Sequence, residues 1–452
     1  MHAVTGQVRP PSYVTMSGTN ARRRGSLSAL MIDALIFLAG LLKFVQLPIV
    51  GTLYLTEVLL ALLLVLFLPS RGRLLKARLP GTFILLLTAW LLAQIVTDVI
   101  RGTTFQDYSR GWGMIAFALI NFCALYLTMA EKPKRVVLFV AGLAGGQIAG
   151  YFVAPGEYAL AYPWKFGYGM GINWILVLLA VGLMTRLQAR RTAGLVLLGI
   201  AAVNIAFDFR SAAGTAFLAA CVLFAQQRHR TGHTRKRLPR WRYLMLGMIG
   251  LLGAGAILQI YEYSVQKGWA GENARAKYER QTGGDFGLLL SGRGEILASS
   301  IAVIDSPLVG HGSWAKDCKY TSLYTEIRER AGYHVGQEND QCLIPAHSHL
   351  MGSWVQSGVV GAIVWLWVLR IAARGLMTLD AARHRYSPLI AFFAIALIWD
   401  VLFSPFNGFT RFMTPFYIVV IMISITSSPK PALPKQMVLD RSSSRAMPGT
   451  AS

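Results

Sequence analysis

Charged residues are scarce in this sequence, and acidic residues are the scarcest. Asp, Glu, Lys and Arg make up 14% of the 452 residues, with 21 acidic residues against 44 basic ones. Hydrophobic residues make up 54%, and the mean hydropathy is +0.48. A soluble enzyme of this length has to present a more polar surface to water. The composition therefore excludes that class and indicates a membrane protein.

The sequence also lacks the short motifs of nucleotide and metal sites. It contains no glycine-rich GxxxxGK(S/T) loop and no HExxH motif. Its histidines and its four cysteines do not show the paired spacing of a zinc site. We therefore predict an activity that uses no metal, no nucleotide and no other cofactor.

Apolar runs of the length of a membrane helix recur along the chain. About 20 apolar residues cross the ~30 Å hydrocarbon core as a helix, which satisfies its own backbone hydrogen bonds. We predict an all-α polytopic fold with about twelve transmembrane helices. They are placed at 27–47, 51–69, 80–99, 111–130, 135–154, 170–187, 192–209, 211–227, 242–261, 349–369, 387–405 and 412–428.

Lysine and arginine collect in alternate connections between these spans. The basic segments are 22–24, 71–78, 132–135, 186–191, 228–242, 370–385 and the tail after 430. By the positive-inside rule this pattern places both termini in the cytoplasm. It explains the net charge of +23 by contact with membrane lipids, and we predict no nucleic-acid partner.

These assignments divide the chain into five parts. They are a cytoplasmic tail (1–26), nine spans (27–261), a long external loop with short helices (262–346), three spans (347–428) and a disordered tail (429–452). The first span is read as an uncleaved anchor, because no small-residue cleavage site follows it. Cys318 and Cys342 both fall in the external loop, where an oxidising compartment permits a disulfide; two unpaired thiols remain the alternative.

Three residues on the external side are candidates for chemistry. Arg210 opens the eighth span, Arg293 lies in the external loop and His347 opens the tenth span. An arginine at membrane depth is costly unless it is paired, so Arg210 marks either a functional site or an interfacial ion pair with Asp208. Spans eight and ten both begin outside, and their N-termini favour anions such as a lipid phosphate.

Other residues have weaker claims to the same site. Asp400, in the eleventh span, is a buried carboxylate that needs a partner, and it would either orient the histidine or pair with an arginine. His349 has a small chance of a direct role, and Lys165 and Arg411 are possible phosphate ligands.

Two glycines follow His347 at helical intervals. Gly358 and Gly361 come 11 and 14 residues later, close to three and four turns, so we expect them on the face of the histidine. Small residues on one face let a neighbouring helix approach closely. We therefore predict that this pair packs the tenth helix against the bundle.

The motifs resemble those of bacterial O-antigen ligases. The family pattern is His, then Asn, Ser or Gln, nine positions, then Gly-x-x-Gly, and it is similar to His347-Ser348 followed by Gly358 and Gly361. "SGRGEIL" with "IDSPLVGHG" (291–312) resembles the family's Ser-Gly-Arg segment and Pro-x-x-Gly-x-Gly turn, and "FDFRSAAGT" its arginine-opened helix. The resemblance covers roughly 200–430; the N-terminal half is similar only in topology.

The resemblance implies a GT-C-like glycosyltransferase of the inner membrane with a periplasmic active site. Such an enzyme transfers a glycan from undecaprenyl pyrophosphate to a sugar hydroxyl of lipid A–core, with inversion, in lipopolysaccharide biosynthesis. Arg210 and Arg293 would bind the pyrophosphate leaving group, and His347 would accept the proton of the acceptor hydroxyl. The spacing to the glycines favours His347 over His349 for this role.

Two other classes of function stay open. An O-antigen polymerase or a protein O-oligosaccharyltransferase would share the donor and differ only in the acceptor. A transporter or flippase with twelve spans is less favoured, because no internal repeat is apparent and the candidate residues gather at one surface.

Overall fold

The computed structural model describes residues 17–49, 51–186, 190–227, 262–269, 294–330, 341–379 and 385–427, with a few single positions between 255 and 279. Most of these residues are helical. The α-helices of these ranges are α1 (Ser17–Leu41), α2 (Leu55–Arg71), α3 (Arg78–Arg101), α4 (Phe105–Met129), α5 (Lys134–Val153), α6 (Glu157–Ala161), α7 (Gly169–Arg186), α8 (Arg190–Ala206), α9 (Arg210–Gln227), α10 (Gly294–Asp305), α11 (Cys318–Arg330), α12 (His349–Thr378), α13 (Ser387–Phe403) and α14 (Thr410–Ser427). Short 3₁₀-helical turns lie at Leu42–Phe44 and Gly72–Lys76, and a π-helical turn lies at Pro163–Gly167.

Within the described ranges, five helices are long and apolar enough to cross a membrane, namely α2, α3, α4, α5 and α12. Helices α7, α8, α9, α13 and α14 are apolar but shorter. The fold is thus that of an all-α membrane protein. The predicted span at 242–261 lies outside the described residues, apart from two single positions, so the number twelve stays a prediction.

A short β-hairpin interrupts the helices where the sequence predicted the end of one span and the start of the next. Strands β1 (Gln46–Pro48) and β2 (Thr52–Tyr54) pair antiparallel, with Leu47 opposite Leu53. Gly51 in the connection has a φ of +98°, which a residue with a Cβ rarely adopts. The first predicted span is therefore too long, since α1 ends at Leu41.

Helices α1 and α5 make a close backbone contact through glycines. A Cβ added at Gly142 would lie 2.1 Å from the carbonyl oxygen of Phe37, and one added at Gly40 would lie 2.5 Å from that of Phe139. Larger side chains at these positions would force the helices apart. This interface has the small-residue character that the sequence predicted for Gly358 and Gly361.

Helices α13 and α14 form the centre of the bundle, and nearly every residue from Pro388 to Leu397 and from Phe412 to Ile423 is buried. They contact α4, α7, α9 and α12. Their connection, 404–409, lies at one end of the bundle beside the hairpin, where the Tyr54 and Phe412 rings are 5.4 Å apart. We call this the hairpin end; it carries the candidate site.

Candidate functional site at the hairpin end

The start of α12 separates two histidines into different environments. Ser348 is the N-cap; its Oγ accepts a hydrogen bond from the backbone N–H of Met351 at 3.1 Å and donates one to the carbonyl of Val401 at 2.9 Å. His347 precedes the cap and is exposed, and no described residue forms a hydrogen bond with its ring. An exposed imidazole held by a fixed cap is accessible to a substrate.

His349, two residues later, is fully buried and bonded on both ring nitrogens. Nδ1 lies 2.6 Å from the carbonyl oxygen of Ser404, and Nε2 lies 3.1 Å from Oγ1 of Thr414. The ring packs edge-on against Trp365 and Phe406. A side chain with both nitrogens occupied and no exposed surface ties α12 to α14 and cannot reach a substrate in this conformation.

Asp400 belongs to the same buried cluster. Its Oδ1 accepts a hydrogen bond from Ser404 Oγ at 2.8 Å, and the carbonyl of that serine contacts His349. This contact of Asp400 therefore leads through Ser404 to His349, the buried histidine. Asp400 lies near the C-terminal end of α13.

Helix α12 is broken eight residues after it begins. Ser357 has a φ of −127°, and Gly358 has a φ of 66° with a ψ of −160°, a region that is open almost only to glycine. A Cβ on Gly358 would lie 2.0 Å from the carbonyl oxygen of Leu308. Gly361 lies close to the carbonyl of Ser353, across the break.

The prediction that both glycines share a continuous helical face with His347 is therefore wrong. The break changes the direction of the helix between the histidine and the glycines. The nearest contacts of Gly358 are with the loop residue Leu308, and those of Gly361 are with Ser353 and Ser357 of α12 itself.

The turn 306–312 fills the break in α12. A regular helix would pair the carbonyls of Val355 and Gln356 with N–H groups four residues ahead. Here the N–H groups of His311 and Gly312 donate to them, at 2.7 and 3.0 Å. Gly310, with a φ of +83°, packs directly on the backbone of Gly358, because a Cβ there would lie 2.6 Å from its nitrogen. The turn 306–312 and the first half of α12, which are separate motifs in the sequence, thus form one backbone unit.

The end of α3 holds this unit in place through one buried carboxylate. Asp98 accepts four short hydrogen bonds: from the backbone N–H and Oγ of Ser313 at 2.6 and 2.7 Å, from Trp112 Nε1 at 2.7 Å and from Thr103 Oγ1 at 2.9 Å. Thr97 and Arg101 donate to the carbonyls of Val309 and Gly310. The turn 306–312 is therefore fixed to the end of α3.

A disulfide joins Cys318 and Cys342, whose Cα atoms are 4.6 Å apart. Beside it, the N–H of Asp317 donates to the carbonyl of Cys342 and that of Ile344 to Ala315, at 2.7 and 2.9 Å. The pairing and the disulfide fix the segment that leads to His347.

An ionic contact joins α10 and α11, the two helices on either side of the turn. Asp305 accepts hydrogen bonds from Lys319 Nζ at 2.6 Å and Tyr320 Oη at 2.7 Å. The hydrogen bond from Lys319, followed by that from Tyr320, lowers the pKa of the Asp305 carboxyl below its usual value. Burial, followed by the hydrogen bond to Asp305, raises the pKa of Tyr320. The carboxylate thus links α10 to α11.

A cavity of about 960 Å³ opens at the hairpin end. Its walls include Tyr54, which precedes α2, and residues at the starts of α4, α12 and α14, where the positive ends of the helix dipoles favour an anion. Ala346 and Ser348 line it, so His347 lies between two lining residues. Trp314, Ala315, Leu343 and Ile344, from the paired segments beside the disulfide, form part of the wall.

The two arginines that line the cavity differ in their partners. Arg411 is buried and forms a two-pronged ion pair with Glu57, with Nε 2.6 Å from Oε1, and it also donates to the carbonyl of Thr52 at 2.6 Å. Arg110 is half-buried and has no ion pair among the described residues. The prediction of Arg411 as a phosphate ligand is thus weakened, because Glu57 already neutralises its charge.

Arg210 and Lys165 lie at a different corner of the hairpin end. Arg210 begins α9, as predicted, and its Nε lies 3.4 Å from Asp208 Oδ1. Lys165 lies in the turn Pro163–Gly167, whose Trp164 stacks on Phe207 at 4.5 Å. Neither residue lines the cavity. Arg293, the other predicted pyrophosphate ligand, lies outside the described residues.

Three residues of this region were not anticipated from the sequence. Asp98, Arg110 and Glu57 are charged, and each lies within four residues of an end of a predicted span or of a helix start. A charged residue near the end of a span was a signal for a functional site, but it was used only for Arg210. Ser313, which bonds Asp98, and Arg411, which pairs with Glu57, each lie more than 200 residues away, so the local sequence gives no clue to these two contacts.

Searches of the sequence against protein-family models and against curated protein sequences found no match. Among the described residues, no group of three or more His, Cys, Asp or Glu side chains is placed to hold a metal ion. The geometry of the cavity and of His347 is therefore the basis for a functional proposal.

Proposed function

We propose that the protein is an O-antigen ligase, a glycosyltransferase that moves a glycan from undecaprenyl pyrophosphate to a sugar hydroxyl of lipid A–core. The observation that supports this most strongly is the position of His347, exposed between two residues that line a cavity of about 960 Å³ at one end of a membrane bundle. A cavity of this size accommodates a few sugar units.

The proposed reaction is a single displacement at the anomeric carbon. The acceptor oxygen forms the new glycosidic bond while His347 takes its proton, and the bond to the pyrophosphate breaks with its electron pair on the leaving oxygen. Arg210 and Arg293 hold the pyrophosphate and stabilise the charge that develops there. Attack from the face opposite the leaving group inverts the anomeric configuration. Neither a nucleotide nor a metal takes part in this scheme.

The wider arrangement belongs to the same proposal. The chain would have about twelve spans in a GT-C-like architecture, with both termini in the cytoplasm of a bacterial cell. The hairpin end would then face the periplasm, where the disulfide between Cys318 and Cys342 is chemically stable. The lipid portion of both substrates would remain in the inner membrane.

Transfer by the purified protein tests the proposal. With undecaprenyl-pyrophosphate-linked glycan and lipid A–core in detergent, we expect a new glycolipid. His347→Ala should lower the turnover by about 10²–10⁴-fold, because proton transfer to a positioned base contributes that much. Added imidazole should restore part of the rate, because it can occupy the space of the missing ring.

Gln341→Ala is the matched control, since Gln341 is exposed on the same segment as His347. It should leave turnover unchanged. Near-normal transfer by His347→Ala would refute the base assignment. Product formed on a second lipid-linked glycan or on a protein hydroxyl, with none on lipid A–core, would instead indicate a polymerase or a protein O-oligosaccharyltransferase.

A further inference from the structure

Among the described residues, the lining of the cavity beside His347 is positively charged. Its lining contains two arginines and no acidic residue within the described part of the chain. Glu57, which does not itself line the cavity, neutralises Arg411 through a two-pronged ion pair. The remaining charge in the wall is that of Arg110.

The carboxylate one helical turn before Arg110 forms its salt bridge with a different cation and interacts with Arg110 only at longer range. Asp107, one helical turn earlier, accepts hydrogen bonds from Lys316 Nζ at 2.7 Å and from Thr104 Oγ1 at 2.9 Å. No salt bridge forms between Arg110 and any described acidic residue. The guanidinium of Arg110 therefore stays available to a ligand, with its planar fork suited to a phosphate or a carboxylate.

Aromatic rings are frequent in the cavity wall, and one of them lies near this guanidinium. Seven aromatic side chains line the cavity, among them Tyr54, Phe117 and Trp314. The guanidinium carbon of Arg110 lies 5.9 Å from the centre of the Trp314 ring. The negative face of an aromatic ring attracts the C–H groups on one face of a pyranose, so a cation beside an aromatic wall fits a sugar that carries an anionic group.

We propose that this cavity binds an anionic sugar of the acceptor glycolipid, with Arg110 paired to its phosphate or carboxylate and Trp314 packed on its ring. The proposal rests on the proposed function. It separates the two substrates, because Arg210, assigned to the donor pyrophosphate, does not line the cavity. An acceptor held here has its hydroxyls beside Ala346 and Ser348, and hence within the surroundings of His347.

Equilibrium binding of lipid A–core to the purified protein tests this without any chemical step. The glycolipid is used intact, after removal of its phosphates with hydrofluoric acid, and after reduction of its uronic carboxylates. For the unmodified protein, one of the two treatments should weaken binding by roughly 10- to 100-fold, the worth of a charge-assisted hydrogen-bonded pair. The treatment that does so identifies the anionic group.

Arg110→Gln should bind the intact glycolipid roughly 10- to 100-fold more weakly and should not respond to either treatment. Arg110→Lys keeps the charge, so its affinity for the intact glycolipid should lie between those of the unmodified protein and Arg110→Gln. Arg330→Gln is the control, since Arg330 is an exposed arginine of α11 that pairs with Glu326 outside the cavity. It should bind like the unmodified protein.

Several results would overturn the assignment. One is that the unmodified protein binds the treated and intact glycolipids equally well. Another is that Arg110→Gln binds the intact glycolipid as tightly as the unmodified protein does. A third is that Arg110→Gln loses affinity for the donor lipid instead of the acceptor. The transfer assay keeps the two proposals apart. Charge-dependent binding without transfer would sustain this assignment and refute the ligase function, whereas transfer that is indifferent to Arg110 would do the reverse.

Discussion

The break in α12 and the segment around His347 lie at the same end of the bundle, yet their polar groups differ in whether they have hydrogen-bond partners. At the break, each exposed carbonyl finds a donor: His311 and Gly312 donate to Val355 and Gln356. Around Asp98, four short hydrogen bonds converge on one carboxylate. His347, by contrast, is exposed and has no hydrogen bond among the described residues.

This difference separates the structural polar groups from those available for binding. A buried polar group without a partner is costly, so a fold that must break a membrane helix has to satisfy the groups that the break exposes. A group intended for a substrate must stay open. The same contrast distinguishes Arg411, neutralised by Glu57, from Arg110, which pairs with none of the described acids.

The largest effect on stability is expected from Gly358→Ala. A Cβ would lie 2.0 Å from the carbonyl oxygen of Leu308, and the backbone angles there are unfavourable for any other residue. We expect a loss of about 4 kcal/mol in unfolding free energy, measured by thermal unfolding in detergent. In Gly352→Ala, in the same helix, the added Cβ would lie 3.9 Å from the Cβ of Ala346, an ordinary contact. This variant should change the unfolding free energy by less than about 1 kcal/mol. Equal effects of the two would show that the break is not obligatory.

Asp98→Asn should have the next largest effect. The amide nitrogen that replaces one oxygen is itself a donor, so it opposes two of the donors that now face the carboxylate. We expect about 3 kcal/mol of destabilisation, because each buried donor left without an acceptor costs about 1–3 kcal/mol. Glu326→Gln, on an exposed pair of α11, should cost less than about 0.5 kcal/mol. A neutral Asp98→Asn variant would mean that the turn is held without this carboxylate.

The two histidines provide the smallest and most direct comparison. His349→Ala removes the contacts to Ser404 and Thr414 and leaves a space beside Trp365, so about 2 kcal/mol of stability should be lost. His347→Ala should leave the unfolding temperature within the error of measurement, because an exposed substitution changes stability by less than about 0.5 kcal/mol. A strongly destabilised His347→Ala variant would assign that residue a structural role and remove the contrast on which the site depends.

Several of the helices could be predicted from the sequence, whereas the break in α12 could not. Apolar runs of helix length are a local signal, and α2, α3, α4, α5 and α12 follow them closely. The meaning of Gly358 depended on a contact with Leu308, fifty residues earlier, and glycines at helical spacing look the same in a packed face and in a break. The hairpin at 46–54 was missed because its residues are as apolar as those of the flanking helices.

The sequence directed attention to His347, whereas the residues that form the walls of the cavity were not predicted. The distinction between His347 and His349 followed from spacing, and the structure places them in different environments. The pairing of Arg411 with Glu57 joins positions 354 residues apart, and without it Arg411 looked like a free cation. Arg110 was not among the predicted site residues, because its place in the cavity wall depends on segments that meet only in the folded chain.

The turn 306–312 and the membrane helices are not separable modules. Because N–H groups of the turn complete the hydrogen bonding of α12, and because Asp98, Thr97 and Arg101 of α3 bond to 309–313, the conformation of the turn depends on both helices. Chimeras that exchange 306–312 alone would carry mismatched partners at this junction. A successful exchange has to transplant 97–101 and 355–358 together with the turn.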